Sequence, residues 1–352
     1  MSPLHPAPIR PALRIGILGC ARIAAQFARD VAGSPEVEIV AVASRQLDTA
    51  RAFAAAHGIA RCHGSYEALL ADQAVDAVYI PLPNSLHAEW AIRACAAGKH
   101  VLCEKPLSLG RAEAQAMFDA ARQHRVMLLE AYPYYFQPQT GAMLDLLHGG
   151  AIGAVRSVQA CFGFTVGQPT TNIRMKPELG GGALLDAGSY PLSLIRLVMG
   201  VAPARVRADA TWADSGVDIS MSATLFYADG RRAQLSCAMD AANHRRAVIV
   251  GSEGTLETEY LNHTSADPAG DARGYLPSAL RVRRGISNAL PFEPVEAGTG
   301  SGFRFAAQAF ARVWAQGDFA AIERAAQASL DNMATLEALA LSAREARTVE
   351  LA

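Results

Sequence analysis

Leu13-Arg14-Ile15-Gly16-Ile17-Leu18 is a short strand-forming run that stops on Gly19, passes through Cys20 and Ala21, and continues as helix to about Val31. A strand that turns on a glycine straight into a helix commits the chain to a crossover, because the next strand rejoins the same sheet only after the helix has covered one of its faces. The pattern then recurs. Strands are expected at Val37–Ala43, Val75–Ile80, His100–Glu104 and Val126–Glu130, separated by helices from Asp48, the expected N-cap, to His57, at Tyr66–Ala71, from a Ser85 cap to Ala97, and at Arg111–His124. Gly58 and Gly98 stand where two of these helices end. Such alternation predicts a doubly wound parallel sheet over residues 13–131, an α/β domain of the Rossmann type.

The turn after the first strand reads G-x-A-x-x-A, in which small residues let the backbone approach a pyrophosphate at a helix N-terminus; the same turn would also serve simply to pack helix on strand. Gly19, Ala21, Arg22 and Ile23 are therefore candidate nucleotide contacts. The second strand ends on Ser44-Arg45, where a cofactor lacking a 2′-phosphate would meet an acidic residue. A hydroxyl beside a guanidinium offers a phosphate charge-assisted hydrogen bonds, so the pair favours NADP, with NAD as the second choice; the alternative is a solvated loop arginine. Pro81, Leu82, Asn84 and His87 follow the strand ending at Ile80 and lie beside the expected nicotinamide position, His87 being either a ligand contact or a structural histidine. The strand from His100 ends on Glu104-Lys105-Pro106. Proline cannot donate to a ladder and disfavours helical geometry in the residue before it, so Lys105 is expected at the strand's carboxyl end, extended into the crevice.

After a helix at about Gln139–His148 the character changes to successive strands: Val155–Phe164, Ala204–Trp212, Asp218–Tyr227, Arg231–Met239, Arg246–Gly251 and Thr255–Tyr260. Asp229-Gly230 and Ser252-Glu253-Gly254 mark tight turns, and a polar excursion from Asn262 to Gly302 with one or two strands precedes helices at Phe303–Gln316 and Ser329–Arg344. Residues 132–352 are thus expected to form an α+β domain with a largely antiparallel, open-faced sheet. Within it, Gly180-Gly181-Gly182 leads to Asp186 and Tyr190, four residues apart and therefore on one face if a helix begins near Asp186. In that arrangement both are candidate catalytic or substrate-binding groups; otherwise Asp186 caps the helix and Tyr190 is core. Asn172, Arg174 and Lys176 form a polar loop suited to a hydroxyl-rich ligand or merely to water.

With 352 residues and 51% hydrophobic content, the chain can bury a core in each of two domains. A formal net charge of −1 without a basic run argues against nucleic acid and against an anionic membrane surface as partners. The six cysteines lack C-x-x-C spacing, which fits reduced thiols in a cytoplasmic protein and suggests no metal site. Met1–Ala12, rich in proline and without a signal-peptide core, reads as a loose, flexible tail.

These residues together resemble the Gfo/Idh/MocA family of sugar and diol oxidoreductases. The resemblance is carried by the turn ending in Arg22-Ile23-Ala24, by Pro83-Asn84-Ser85-Leu86-His87, by Glu104-Lys105-Pro106, by Glu130-Ala131, and by Gly181-Gly182 through Asp186 to Tyr190. A tyrosine at 190 is similar to the branch holding glucose-fructose oxidoreductase, dimeric dihydrodiol dehydrogenase and NADP-dependent xylose dehydrogenases. Where the family often has an arginine, this chain reads Tyr132-Pro133-Tyr134-Tyr135-Phe136. The resemblance implies NADP, a sugar or cyclic diol substrate, and a homodimer or homotetramer joined by the open face of the second sheet, whose uncovered surface is expected to be apolar. Tyr190 would exchange the hydroxyl proton, assisted by the Lys105 ammonium because a free phenol titrates too high to be an efficient base at neutrality. Asp186 would orient the pair or bind a substrate hydroxyl. A non-catalytic dinucleotide-binding regulator of the same fold is the alternative, against which the presence of both Lys105 and Tyr190 counts; in a methyltransferase the second-domain cluster would have no role.

Overall fold

In the computed structural model, residues 12–351 are described; the expected tail lies outside them but for Ala12. The first layer is built from β1 (Leu13–Leu18), α1 (Arg22–Val31), β2 (Val37–Ala43), α2 (Leu47–His57), β3 (Arg61–His63), α3 (Tyr66–Leu70), β4 (Ala77–Ile80), α4 (His87–Ala96), β5 (His100–Glu104), α5 (Arg111–His124) and β6 (Leu128–Ala131). The six strands run parallel in the order β3-β2-β1-β4-β5-β6. Because the order reverses beside β1, the carboxyl ends of β1 and β4 open a crevice, and Lys105 follows β5 next to it. Leu13, Ile15, Ile17 and Leu18 are fully buried, as a strand with helices on both faces requires.

Two helix starts differ from the sequence reading. Gln46, not Asp48, occupies the N-cap of α2, and Asp48 falls in the first turn, paired with Arg51 at 3.1 Å. Ser85 lies within a tight turn, Asn84–Leu86, that precedes α4, because the Pro83 carbonyl accepts from the Leu86 N–H at 2.8 Å and closes a turn before the helix proper.

The second layer follows α6 (Pro138–His148). It comprises β7 (Val155–Thr165), α7 (Ser189–Met199), β8 (Arg205–Trp212), β9 (Asp218–Phe226), β10 (Arg232–Ala238), β11 (Asp240–Gly251), β12 (Gly254–Thr258), β13 (Leu280–Arg284) and β14 (Glu293–Pro294). After α8 (Gly302–Gln316) and α9 (Phe319–Glu345), a short β15 (Val349–Glu350) completes the nine-stranded sheet against β8. β7 pairs with β10 in parallel, and the other pairings are antiparallel. On the covered face lie Val158, Ala160, Met221, Ala223, Leu225, Leu235 and Ile249, all buried. The opposite face carries Gln159, Ser222, Thr224, Gln234, Ser236 and Arg246, so it is polar and not apolar as expected.

The last two helices return to the first domain. Phe303, Ala307 and Phe310 of α8 are buried in one cluster with Ile15, Phe27 and Tyr79, so α8 completes a nucleotide-domain face. α9 begins at Phe319 rather than Ser329, with the Asp318 carboxylate accepting from the Ala321 N–H at 3.0 Å. It reaches both layers, through Glu323 to Arg122, Ser329 to Glu130, and Asp331 to Arg196.

Candidate active site

Gly19 has φ of +104°, and a Cβ there would lie 3.0 Å from Leu82, so glycine serves both the turn and the close approach of the loop after β4. The first turn of α1 has no side-chain cap at Ala21 and no acidic residue, leaving its N–H groups available to an anion. Arg22 and Ile23 line the cleft, while Ser44 and Arg45 stand on the loop after β2, Arg45 exposed. These residues fit a dinucleotide whose pyrophosphate meets α1 and whose ribose end meets a cation instead of a carboxylate.

The cleft, about 460 Å³, is closed on its other side by the Ile173–Gly181 loop of the second domain. Asn84 Nδ2 donates to the Gly180 carbonyl at 2.8 Å, and Gly180 adopts φ of +75° at a place where a Cβ would collide with Leu109 and crowd Asn84. Lys105 Nζ donates to the Asp186 carbonyl at 2.9 Å and to its Oδ1 at 3.0 Å, and Arg174 Nε donates to Oδ2 at 2.5 Å. Burial disfavours both charges of the Lys105–Asp186 pair, but mutual attraction outweighs it. Lys105, facing Asp186, Tyr190 and Glu104, is held above the usual lysine value, and Asp186, facing Lys105 and Arg174, below the usual carboxylate range. Behind them, Glu104 is raised by burial and accepts from Tyr79 Oη at 2.6 Å and from the Lys105 N–H at 3.3 Å.

Tyr190 is 5% exposed, and its hydroxyl accepts from Asn262 Nδ2 at 3.0 Å. Lys105 Nζ lies 4.8 Å from its ring centroid, over the ring rather than in hydrogen-bond contact with the oxygen. The helix that presents it starts before Asp186: the Leu184 N–H is capped from outside by Asp218 Oδ2 at 2.6 Å, and residues Leu184–Gly188 form a wider, π-type turn leading into α7. Asp186 therefore lies near the helix start and Tyr190 further in, which corrects the expected start at Asp186 and removes the helix terminus as a support for the Tyr190 oxygen.

Other candidates are placed differently. His87 is fully buried, with Nδ1 2.8 Å from the Pro106 carbonyl and Nε2 2.8 Å from the Leu82 carbonyl; the neutral ring that burial favours donates to one of them, and the residue lies between two crevice loops. Asn172 is spent within its own loop, accepting from the Arg174 N–H at 3.1 Å and donating to Gly167 at 3.0 Å. Pro81 is buried at the end of β4, and Leu82 and Asn84 line the cleft. Two residues that sequence reasoning passed over complete the surroundings of Tyr190: Asn262, from the polar excursion, and Arg245, from β11, whose guanidinium lies 4.1 Å from the Tyr190 centroid. Nothing in the local sequence marks either residue, since both reach the site through sheet pairing and loop docking.

The fold and this cleft define a two-domain, nicotinamide-dinucleotide-dependent oxidoreductase. The family model described as "Oxidoreductase family, NAD-binding Rossmann fold" matches residues 13–132, and that of the GFO/IDH/MocA C-terminal domain matches 141–257. The chain belongs to the Gfo/Idh/MocA family of oxidoreductases. It is 36% identical over 340 residues to a D-xylose 1-dehydrogenase (NADP(+)) of Haloferax volcanii, covering 96% of this chain and 100% of that relative. It is 38% identical over 250 residues to the trans-1,2-dihydrobenzene-1,2-diol dehydrogenase of Danio rerio, covering 70% of this chain and 74% of the relative. Among solved structures, a 3-ketoreductase from Actinomadura kijaniata in complex with NADP and TDP-benzene superposes with a TM-score of 0.81 at 32% identity, covering 94% of this chain and 98% of that one.

Proposed function

We propose that this protein is an NADP-dependent oxidoreductase that moves a hydride between the nicotinamide and a carbinol carbon of a sugar or cyclic diol, with Tyr190 exchanging the hydroxyl proton. The observation that carries this reading is the meeting of Lys105, from the end of β5, with Tyr190, from the second domain, at 4.8 Å between ammonium and ring centroid. The exposed Arg45 in place of an acid supports NADP, as does the relative named for that cofactor. When bound, the dinucleotide supplies the hydride acceptor or donor. The chain's own part is to hold the carbinol: Lys105 and Arg174 donate to oxygens, Asp186 keeps those two cations in place, and Tyr190 takes the proton in oxidation and returns it in reduction. Two cations and a carboxylate around a small cleft suit a ligand with adjacent hydroxyl groups.

The test is turnover. The purified protein is incubated with NADP and a panel of aldoses, anhydrosugars and cyclic diols while NADPH is followed, and Tyr190→Phe is then measured on the best substrate. Turnover is expected to fall on the order of 10²–10⁴ with cofactor affinity little changed. Near-full turnover by Tyr190→Phe, with hydride transfer shown to be rate-limiting by a deuterated carbinol, overturns the role given to Tyr190.

A further inference from the structure

Arg245 enters the site from β11, independently of Lys105. Its guanidinium carbon lies 4.1 Å from the ring centroid of Tyr190, 4.7 Å from Tyr260, 4.8 Å from Phe162 and 5.4 Å from Tyr134. One Nη donates to Asn262 Oδ1 at 3.1 Å, and the Nδ2 of the same amide donates to Tyr190 Oη at 3.0 Å. The Arg245 Nε is shut off from solvent and has no hydrogen-bond partner among the described residues, although the side chain as a whole is only half-buried, so this edge of the guanidinium is desolvated at a cost that its packing alone leaves unexplained. The groups it faces are the phenol rings of Tyr190, Tyr260 and Tyr134, and it forms no ion pair with a carboxylate among the described residues.

Lys105 stands in a different electrostatic position. It is bound to Asp186, which also holds Arg174, so the Asp186 carboxylate offsets part of the Lys105 charge at Tyr190, although the triad as a whole keeps one net positive charge. The groups facing Tyr190 are Lys105 with Glu104 behind it, Asp186 on its own helix, Tyr132 and Tyr134 from the segment after β6, Tyr79 from β4, and Arg245. Of these, Arg245 is the cation without a carboxylate partner among the described residues.

We propose that Arg245 is a positioning residue for Tyr190: it supplies a positive charge that no carboxylate of its own offsets and that stabilises the phenolate, and it locks the Asn262 amide so that its N–H, not its carbonyl, faces the phenol oxygen. A hydrogen bond to the charged form and a nearby cation both favour ionisation. Burial pushes the Arg245 guanidinium below the usual arginine value while the surrounding phenols pull it back, the reciprocal of the same attraction. This inference rests on the reading of Tyr190 as the acid-base group.

Two measurements test it. The ultraviolet absorbance of tyrosinate is titrated with pH, and the trace of Tyr190→Phe is subtracted to isolate Tyr190, first with Arg245 and then with Arg245→Met. The ionisation is expected to move up by about one pH unit or more on loss of the charge. The kcat/KM for carbinol oxidation should follow, its rising limb displaced to higher pH, roughly tenfold slower near neutrality and converging with the unsubstituted protein at high pH. Arg245→Lys should recover most of the shift. Asn262→Asp, which keeps the shape but puts a carboxylate beside the oxygen, should move the limb the same way as Arg245→Met and serves if that variant does not fold. A pH-independent loss of rate, with the Tyr190 ionisation unmoved in both Arg245→Met and Asn262→Asp, overturns the inference while leaving Tyr190's role intact. Full turnover by Tyr190→Phe would instead overturn the reading on which it rests.

Discussion

Lys105 and Asp186, 81 residues apart, are joined twice, Nζ reaching both the side-chain oxygen at 3.0 Å and the backbone carbonyl at 2.9 Å of the same residue. The link fastens the end of the nucleotide-domain sheet to the helix that carries Tyr190. Both side chains are nearly buried, at 11% and 14% exposure, so removing the Asp186 charge leaves the Lys105 ammonium without its carboxylate, whereas removing Lys105 leaves Asp186 paired with Arg174 alone. Asp186→Asn should cost about 3 kcal/mol of stability, Lys105→Met less because Arg174 still pairs with Asp186, and the double variant less than their sum. Urea unfolding of the four proteins checks this, and simple additivity would sink the coupling. In turnover, Lys105→Met should leave a residual rate that rises toward high pH as the unassisted phenol ionises.

Arg45 is exposed on the loop after β2, and Ser44-Arg45 stands where an acidic residue would meet a ribose hydroxyl. NADP should therefore bind more tightly than NAD, and Arg45→Ala should remove much of the difference while leaving NAD affinity nearly as it was. Fluorescence titration of both cofactors decides it; equal affinities in the unsubstituted protein would end the argument.

Glu130, one residue before the end of β6, is buried and pushed up by burial from 4.5 to about 7, although Ser329 Oγ donates to it at 2.6 Å and the Leu107 N–H at 2.9 Å. The folded protein therefore holds this proton more tightly than the unfolded chain. The corresponding stability is fully present below about pH 4.5 and is lost as pH rises through about 7, amounting to roughly 3 kcal/mol at most. Glu130→Gln should remove that slope, so the stability difference between variant and parent should change between pH 5 and 8. Parallel stability curves for the two proteins over that range would show that Glu130 does not titrate there.

The first domain was legible because each step is local. Buried strands read as apolar runs, turns as glycines, and Lys105 stands where a proline ends a strand. The second half was legible in its strands but not in how they assemble. The sequence places the start of α9 at Ser329, since between Phe319 and Leu330 only Ile322 interrupts an alanine-rich, polar stretch, and burial against two domains makes up for the weak periodicity. β15, two residues long, has no pattern of its own and exists by pairing with β8. In the site, Asp186 and Tyr190 were visible through their spacing, yet the π-type turn between them was not. His87 and Asn172 look like ligand donors in sequence, and both are engaged by backbone partners. Arg245 and Asn262 come from segments that only the sheet and the docked excursion bring to Tyr190.

The open face of the nine-stranded sheet carries the last prediction. Helices cover one side only, and the other is a shallow, polar concavity with Arg207, Asp209, Glu257 and Arg281 around a centre of Ser222, Thr224, Gln234 and Ser236. The expectation of an apolar contact does not hold, so hydrophobic burial cannot be the main attraction between subunits there. A rim bearing both charge signs can pair with its own copy under a two-fold axis, and short hydroxyl side chains at the centre let two sheets approach closely. We therefore expect a homodimer through this face, weakened by salt because its rim pairs are exposed. Thr224→Arg would put a long cation at the centre of the contact and should yield monomer with its fold intact. Light scattering of both proteins at low and high ionic strength is the measurement, and a 37.2 kDa particle for the unsubstituted chain at micromolar concentration and low salt would remove the dimer altogether.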